Sequence, residues 1–124
     1  MNLLIGWASM IAGAVTGATI GISFHDEAWM GGYTSLRRRM LRLGHIEFFG
    51  MGIVNVLFAL TAAALDLPLA PARLASIGFA TGALTMPICC FLTAWRPALR
   101  VLFPISVAGV LLGMGGLFAG WVSL

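Results

Sequence analysis

Hydrophobic positions run along this chain in four long blocks, and polar positions gather in the three gaps between them. The apolar blocks cover about 3–24, 46–65, 74–95 and 101–122, and only the second carries a charge, Glu47 near its start. Each block is close to the roughly 20 residues an α-helix needs to cross about 30 Å of hydrocarbon. The pattern predicts one domain over 1–124, an all-α integral membrane protein built as a bundle of four transmembrane helices.

The gaps refine that picture. The first, 25–44, holds Arg37, Arg38, Arg39 and Arg42; the second, 66–73, holds Pro68, Pro71 and Arg73; the third is a tight turn from Arg96 to Arg100. Gly31-Gly32 reads as a break, after which Thr34 or Ser35 caps a helix. The run from Leu36 to Leu43 has no further turn signal, so the second helix is expected to start outside the hydrocarbon and run into it. Pro87 is expected to kink the third helix, because proline removes a backbone donor and crowds the preceding turn.

Composition supports lipid as the solvent. The chain is 60% apolar and only 9% charged, against roughly 45–50% and 25% in soluble domains. The net charge of +3 comes with seven arginines and no lysine. These sit in short turns, so Arg37, Arg38, Arg39, Arg42, Arg96 and Arg100 are expected to meet anionic lipid headgroups, and no nucleic-acid partner is expected. Six of the seven arginines fall in the first and third connections. The positive-inside rule therefore puts those connections in the cytoplasm and both termini on the outer side, in a prokaryotic inner membrane. Trp7 and Trp121 then mark the outer interface and Trp95 the inner one. The start Met1-Asn2-Leu3-Leu4 lacks the basic segment of a signal peptide, so the first block is expected to be retained.

Packing in lipid depends on close approach and polar links more than on hydrophobic drive. Ser9, Gly13, Gly17 and Gly21 form a small-residue stripe on the first helix; Gly109, Gly113, Gly116 and Gly120 form one on the fourth. These two helices are the expected tight pair, with each other or with a second protein. Asn55 is expected to hydrogen-bond to a neighbouring helix. The adjacent Cys89 and Cys90 read as small apolar residues of a helix, not as a disulfide.

Candidate chemistry is confined to His25, Asp26 and Glu27 after the first block and His45 and Glu47 at the start of the second. An acid in or near hydrocarbon is costly, so Glu47 should face the bundle and find a partner among His45, Arg42, Arg96 and Arg100. Two histidines from different helices suit haem b; His45 with Arg42 suits a quinone carbonyl. His25, Glu27, His45 and Glu47 are acceptable donors for zinc or iron, but a loop would have to fold onto the second helix, and no metal site is expected. No nucleophile motif or phosphate-binding loop is present, so no catalytic residue is expected.

Three functions follow. The leading one is a non-catalytic membrane subunit that packs against or stabilises a larger complex, such as an energy-converting one, with other subunits or copies of itself as partners. The second is a haem- or quinone-binding redox protein using His25, His45, Glu47 and Arg42. The third is a homo-oligomeric transporter or pore. Small four-helix drug exporters have about this length, yet their coupling acid lies deep in the first helix, where this chain has none.

Overall fold

The computed structural model describes residues 1–124 and is wholly helical. Helix α1 spans Asn2–Ile22, α2 spans Leu36–Ala64, α3 spans Leu69–Trp95 and α4 spans Phe103–Val122. Short 3₁₀ turns lie at Trp29–Gly31 and at Pro97–Leu102, the latter running directly into α4. All four helical segments are long and apolar enough to cross a membrane.

Helix α2 has 29 residues, about 43 Å at 1.5 Å per residue, well beyond a 30 Å hydrocarbon layer. Its start at Leu36 matches the early beginning expected from the sequence. Ser35 is the cap: its Oγ accepts from the Arg38 amide at 3.2 Å and donates to the Met30 carbonyl at 2.7 Å. One hydroxyl thus closes the helix end and holds the loop before it. That loop reverses through Met30, Gly31 and Gly32, all at positive φ. Two glycines accept this conformation freely, while Met30 bears the strain of an L side chain there.

Two boundaries differ from expectation. Helix α3 begins at Leu69, inside the second gap, because Pro71 falls in its first turn, where amide donors have no helical partner to lose. Helix α3 runs on through Pro87, which is fully buried. The third connection is a 3₁₀ segment longer than the simple turn expected, and it delays α4 to Phe103.

Each helix packs on its chain neighbour, and α1 also touches α3. Helix α3 is therefore the spine, flanked by α2 and α1 on one side and α4 on the other. Successive helices run antiparallel, so the first and third connections share one end, with six arginines, while both termini and the second connection share the other. The main apolar cluster joins Phe58 of α2 to Ala75 and Phe79 of α3, and Leu117 of α4 reaches it. The Phe58 and Phe79 rings lie 5.3 Å apart.

The glycine stripes do not meet each other. On α1, Gly6 lies against the Gly52 backbone and Val56 of α2, Gly13 receives Phe49, and Gly17 receives the His45 ring. On α4, Gly109, Gly113 and Gly116 lie against Gly78, Phe79, Ala75 and their neighbours in α3. The α1–α4 contact expected from the two stripes gives way to contact with the adjacent helix in each case. Between α3 and α4 a short connection favours this, since a 2–8-residue link between helices leaves its two ends side by side, whereas the α1–α2 pairing follows the longer loop over 23–35.

Candidate functional site at the arginine-bearing end

Three consecutive arginines at the start of α2 point about 100° apart, so their surroundings differ. Arg37 and Arg39 are exposed, whereas Arg38 is only 4% exposed. Its guanidinium donates to the carbonyls of Phe24 (3.4 Å), Asp26 (3.3 Å) and Glu27 (3.2 Å). Around it stand the rings of Phe24, Trp29 and Tyr33, at 5.1, 5.7 and 5.6 Å from the guanidinium carbon. Cation–π attraction and charge-assisted hydrogen bonds both strengthen when water is excluded. Arg38 is thus the centre on which the first connection is wound, and its Nε remains buried without a partner.

Arg42, one turn further along α2, lies over the Tyr33 ring at 4.2 Å. Together Arg38, Arg42, Tyr33, Phe24 and Glu27 line an open cavity of about 700 Å³. Arg96 lies over Trp95 at 5.5 Å, and Arg96 and Arg100 are exposed. The six arginines expected to act alike at headgroups therefore fall into three kinds: one buried, one lining a cavity, four exposed.

His25 and His45 are not brought together. The Nδ1 of His25 hydrogen-bonds the Ile22 carbonyl at 2.8 Å, and that of His45 bonds the Gly13 carbonyl at 2.8 Å. Those two carbonyls are about 13.5 Å apart along α1, so the histidines do not form a facing axial pair for haem. His45 also packs edge-on against Phe49 at 5.4 Å. Arg42 lines the large cavity, whereas His45, one turn further along α2, bonds the Gly13 carbonyl and is outside that lining. No group of three or more His, Cys, Asp or Glu side chains is placed to hold a metal ion.

Glu47 is half-buried on α2, one turn beyond Gly44, which lies against Cys90 and Phe91 of α3. Its expected partners are placed elsewhere: Arg42 lies over Tyr33, Arg96 over Trp95, and His45 on the Gly13 carbonyl. Arg100 is exposed on the third connection. The ion-pair clamp between this connection and α2 is not formed.

A second polar centre lies toward the other end, and only its middle member was legible in the sequence. Asn55 is fully buried. Its Nδ2 donates to the carbonyls of Met51 (2.9 Å) and Phe79 (3.1 Å), and its Oδ1 accepts from Asn2 at 2.8 Å. Asn2 accepts from the Ser76 hydroxyl at 2.6 Å and donates to the Ser76 carbonyl at 3.3 Å. Three helices are joined by one network whose amides are satisfied, the condition under which a buried polar group stabilises. A further buried pair, Ser106 Oγ donating to Cys89 Sγ at 3.4 Å, links α4 to α3.

No protein-family model, curated protein or solved structure matches this chain.

Proposed function

We propose that this chain is a small non-catalytic subunit of a larger assembly in a prokaryotic inner membrane, with its arginine-bearing end in the cytoplasm and both termini outside. The observation that carries this reading is the position of α4. It is seated mainly along α3, and its outward side exposes Ile105, Val107, Leu111, Leu112, Met114 and Phe118. The deep polar groups support it from the other direction. Asn2, Asn55, Ser76, His45 and Ser106 are bonded within the chain, so these groups serve to hold the helices together. A helix held on one side, with small residues inward and bulky ones outward, suits a partner helix whose packing would replace lipid.

The test is purification in mild detergent followed by native gels and mass spectrometry. A stoichiometric membrane partner is expected, and Leu111→Trp with Phe118→Ala on the outer side of α4 should release it while the chain remains folded. Recovery of a homogeneous monomer or homo-oligomer from gently solubilised native membranes would overturn the reading. Orientation is checked separately with Thr34→Cys in a chain whose Cys89 and Cys90 are serine: an impermeant thiol reagent added outside should leave it unlabelled.

A further inference from the structure

The cavity beside Arg42 combines charges that the fold itself leaves unmatched. Arg38 forms part of its wall, with both terminal nitrogens already on backbone carbonyls. Arg42 is different: its recorded partner is the Tyr33 ring face, which leaves the donor edge of the guanidinium free for an anion. Asp26 is occupied within its turn, accepting from the Ala28 amide at 2.9 Å. Glu27 is fixed through its carbonyl to Arg38, and its carboxylate is free on the cavity lining. One free cation, one free anion and the rings of Phe24 and Tyr33 therefore share a cavity of about 700 Å³.

The cavity also has a definite level. Phe24 lies just past the end of α1, and Arg42 lies one turn before Ile46, where the apolar part of α2 begins. If the helices span a bilayer, as the function above also assumes, this is the boundary between hydrocarbon and water. The geometry points to a lipid site: the cavity holds the headgroup of a phospholipid that carries a primary ammonium. Its phosphate lies on the free edge of Arg42 and its ammonium on the Glu27 carboxylate. Arg presents a planar donor fork suited to phosphate oxygens. A purely anionic headgroup would bring a second negative charge beside Glu27. A choline headgroup has three methyl groups where the carboxylate requires N–H donors.

The experiment uses the full chain, delipidated in mild detergent and titrated with phosphatidylethanolamine, phosphatidylglycerol and phosphatidylcholine of identical chains, with retention read by native mass spectrometry. Phosphatidylethanolamine should bind about tenfold more tightly than the other two, the scale of one charge-assisted hydrogen bond. Glu27→Gln should bring phosphatidylethanolamine down to the level of phosphatidylcholine, and Arg42→Gln should weaken all three. Arg73→Gln, exposed at the opposite end of the bundle, should change nothing, and unchanged helicity confirms that each variant is folded. Equal binding of the three lipids by the wild-type chain, or a preference that survives Glu27→Gln, overturns the assignment. Free O-phosphoethanolamine should not compete at concentrations where the lipid saturates; equal competition would make the ligand soluble and overturn a lipid site. Because binding is read on the isolated chain, its failure leaves the search for a partner subunit untouched.

Discussion

Glycines serve α1–α2 and α3–α4 in opposite ways. Between α1 and α2 the backbones meet at Gly6 and Gly52, and then side chains enter: Phe49 fills the space at Gly13 and the His45 ring fills the space at Gly17. Between α3 and α4 contact is backbone on backbone for longer. A Cβ at Gly78 would fall on the Gly113 backbone and 2.7 Å from the Gly109 carbonyl, and one at Gly116 would lie 2.6 Å from the Ala75 amide. The first pair uses glycines mainly as sockets for large side chains; the second uses Gly78 and Gly116 as a rail along which two backbones touch, with a socket where Phe79 fills the space at Gly113. A socket tolerates some change because its occupant can move, whereas a rail has only backbone to displace.

The largest effect should follow from breaking the rail. Gly78→Val places branched carbons where the Gly113 backbone stands, and α4 must move away from α3. Overpacking of this kind costs about 1–3 kcal/mol for well-packed sites, and the upper end is expected here because nothing nearby is a flexible side chain. The measurement is reversible unfolding in mixed micelles, together with loss of a disulfide cross-link engineered between α3 and α4. An unchanged midpoint would mean that the two helices are not in backbone contact.

Next in size is the link between the two pairs. Asn55→Ala removes the centre of a network that joins Asn2 of α1 to the Phe79 carbonyl of α3. Hydrogen bonds between membrane helices average about 0.6 kcal/mol, with 1–2 kcal/mol in stronger cases. Loss of about 1.5 kcal/mol is expected because Asn2 also loses an acceptor. Asn2→Ala should cost less, and the double variant should cost less than the sum of the two.

These two sites also show what the sequence could and could not reveal. The four apolar helices and a hydroxyl cap at Thr34 or Ser35 were legible because they depend on local facts: length, apolarity, and a hydroxyl placed before a helix. Asn55 was legible as a buried polar residue needing a partner. Asn2 and Ser76 were not, because their meeting depends on how three helices are rotated and offset, and one-dimensional pattern says nothing about that. Arg38 was hidden for a related reason. Among Arg37, Arg38 and Arg39, only the direction of the returning loop decides which is enclosed. The stripes themselves were visible, but whether a glycine faces a ring or another backbone depends on the opposite helix.

A smaller effect tests the socket. At Gly17 a Cβ would meet the His45 ring, and its closest contact is a ring carbon. Gly17→Ala should therefore swing His45 off the Gly13 carbonyl, at a cost of about 1 kcal/mol for the bond and the displaced packing. In a chain that already carries His45→Ala, the same substitution should be nearly neutral, since the space is then vacant. Equal costs in both backgrounds would show that the ring does not occupy this socket.

The smallest effect is expected at Gly115, which faces the opposite way from its neighbour Gly116 on α4. Gly116 lies on the rail, whereas a Cβ at Gly115 meets nothing within 4 Å. For the isolated chain, Gly116→Ala should destabilise, and Gly115→Ala should be neutral or stabilising by about 0.5 kcal/mol, because alanine restricts the unfolded backbone more than glycine does. In the assembled state the comparison becomes more informative. If a partner helix approaches α4 closely at Gly115, the added methyl group will weaken co-purification without changing the stability of the chain alone. If lipid covers that side, Gly115→Ala will be silent in both measurements, and the partner contact must then be sought elsewhere on the chain.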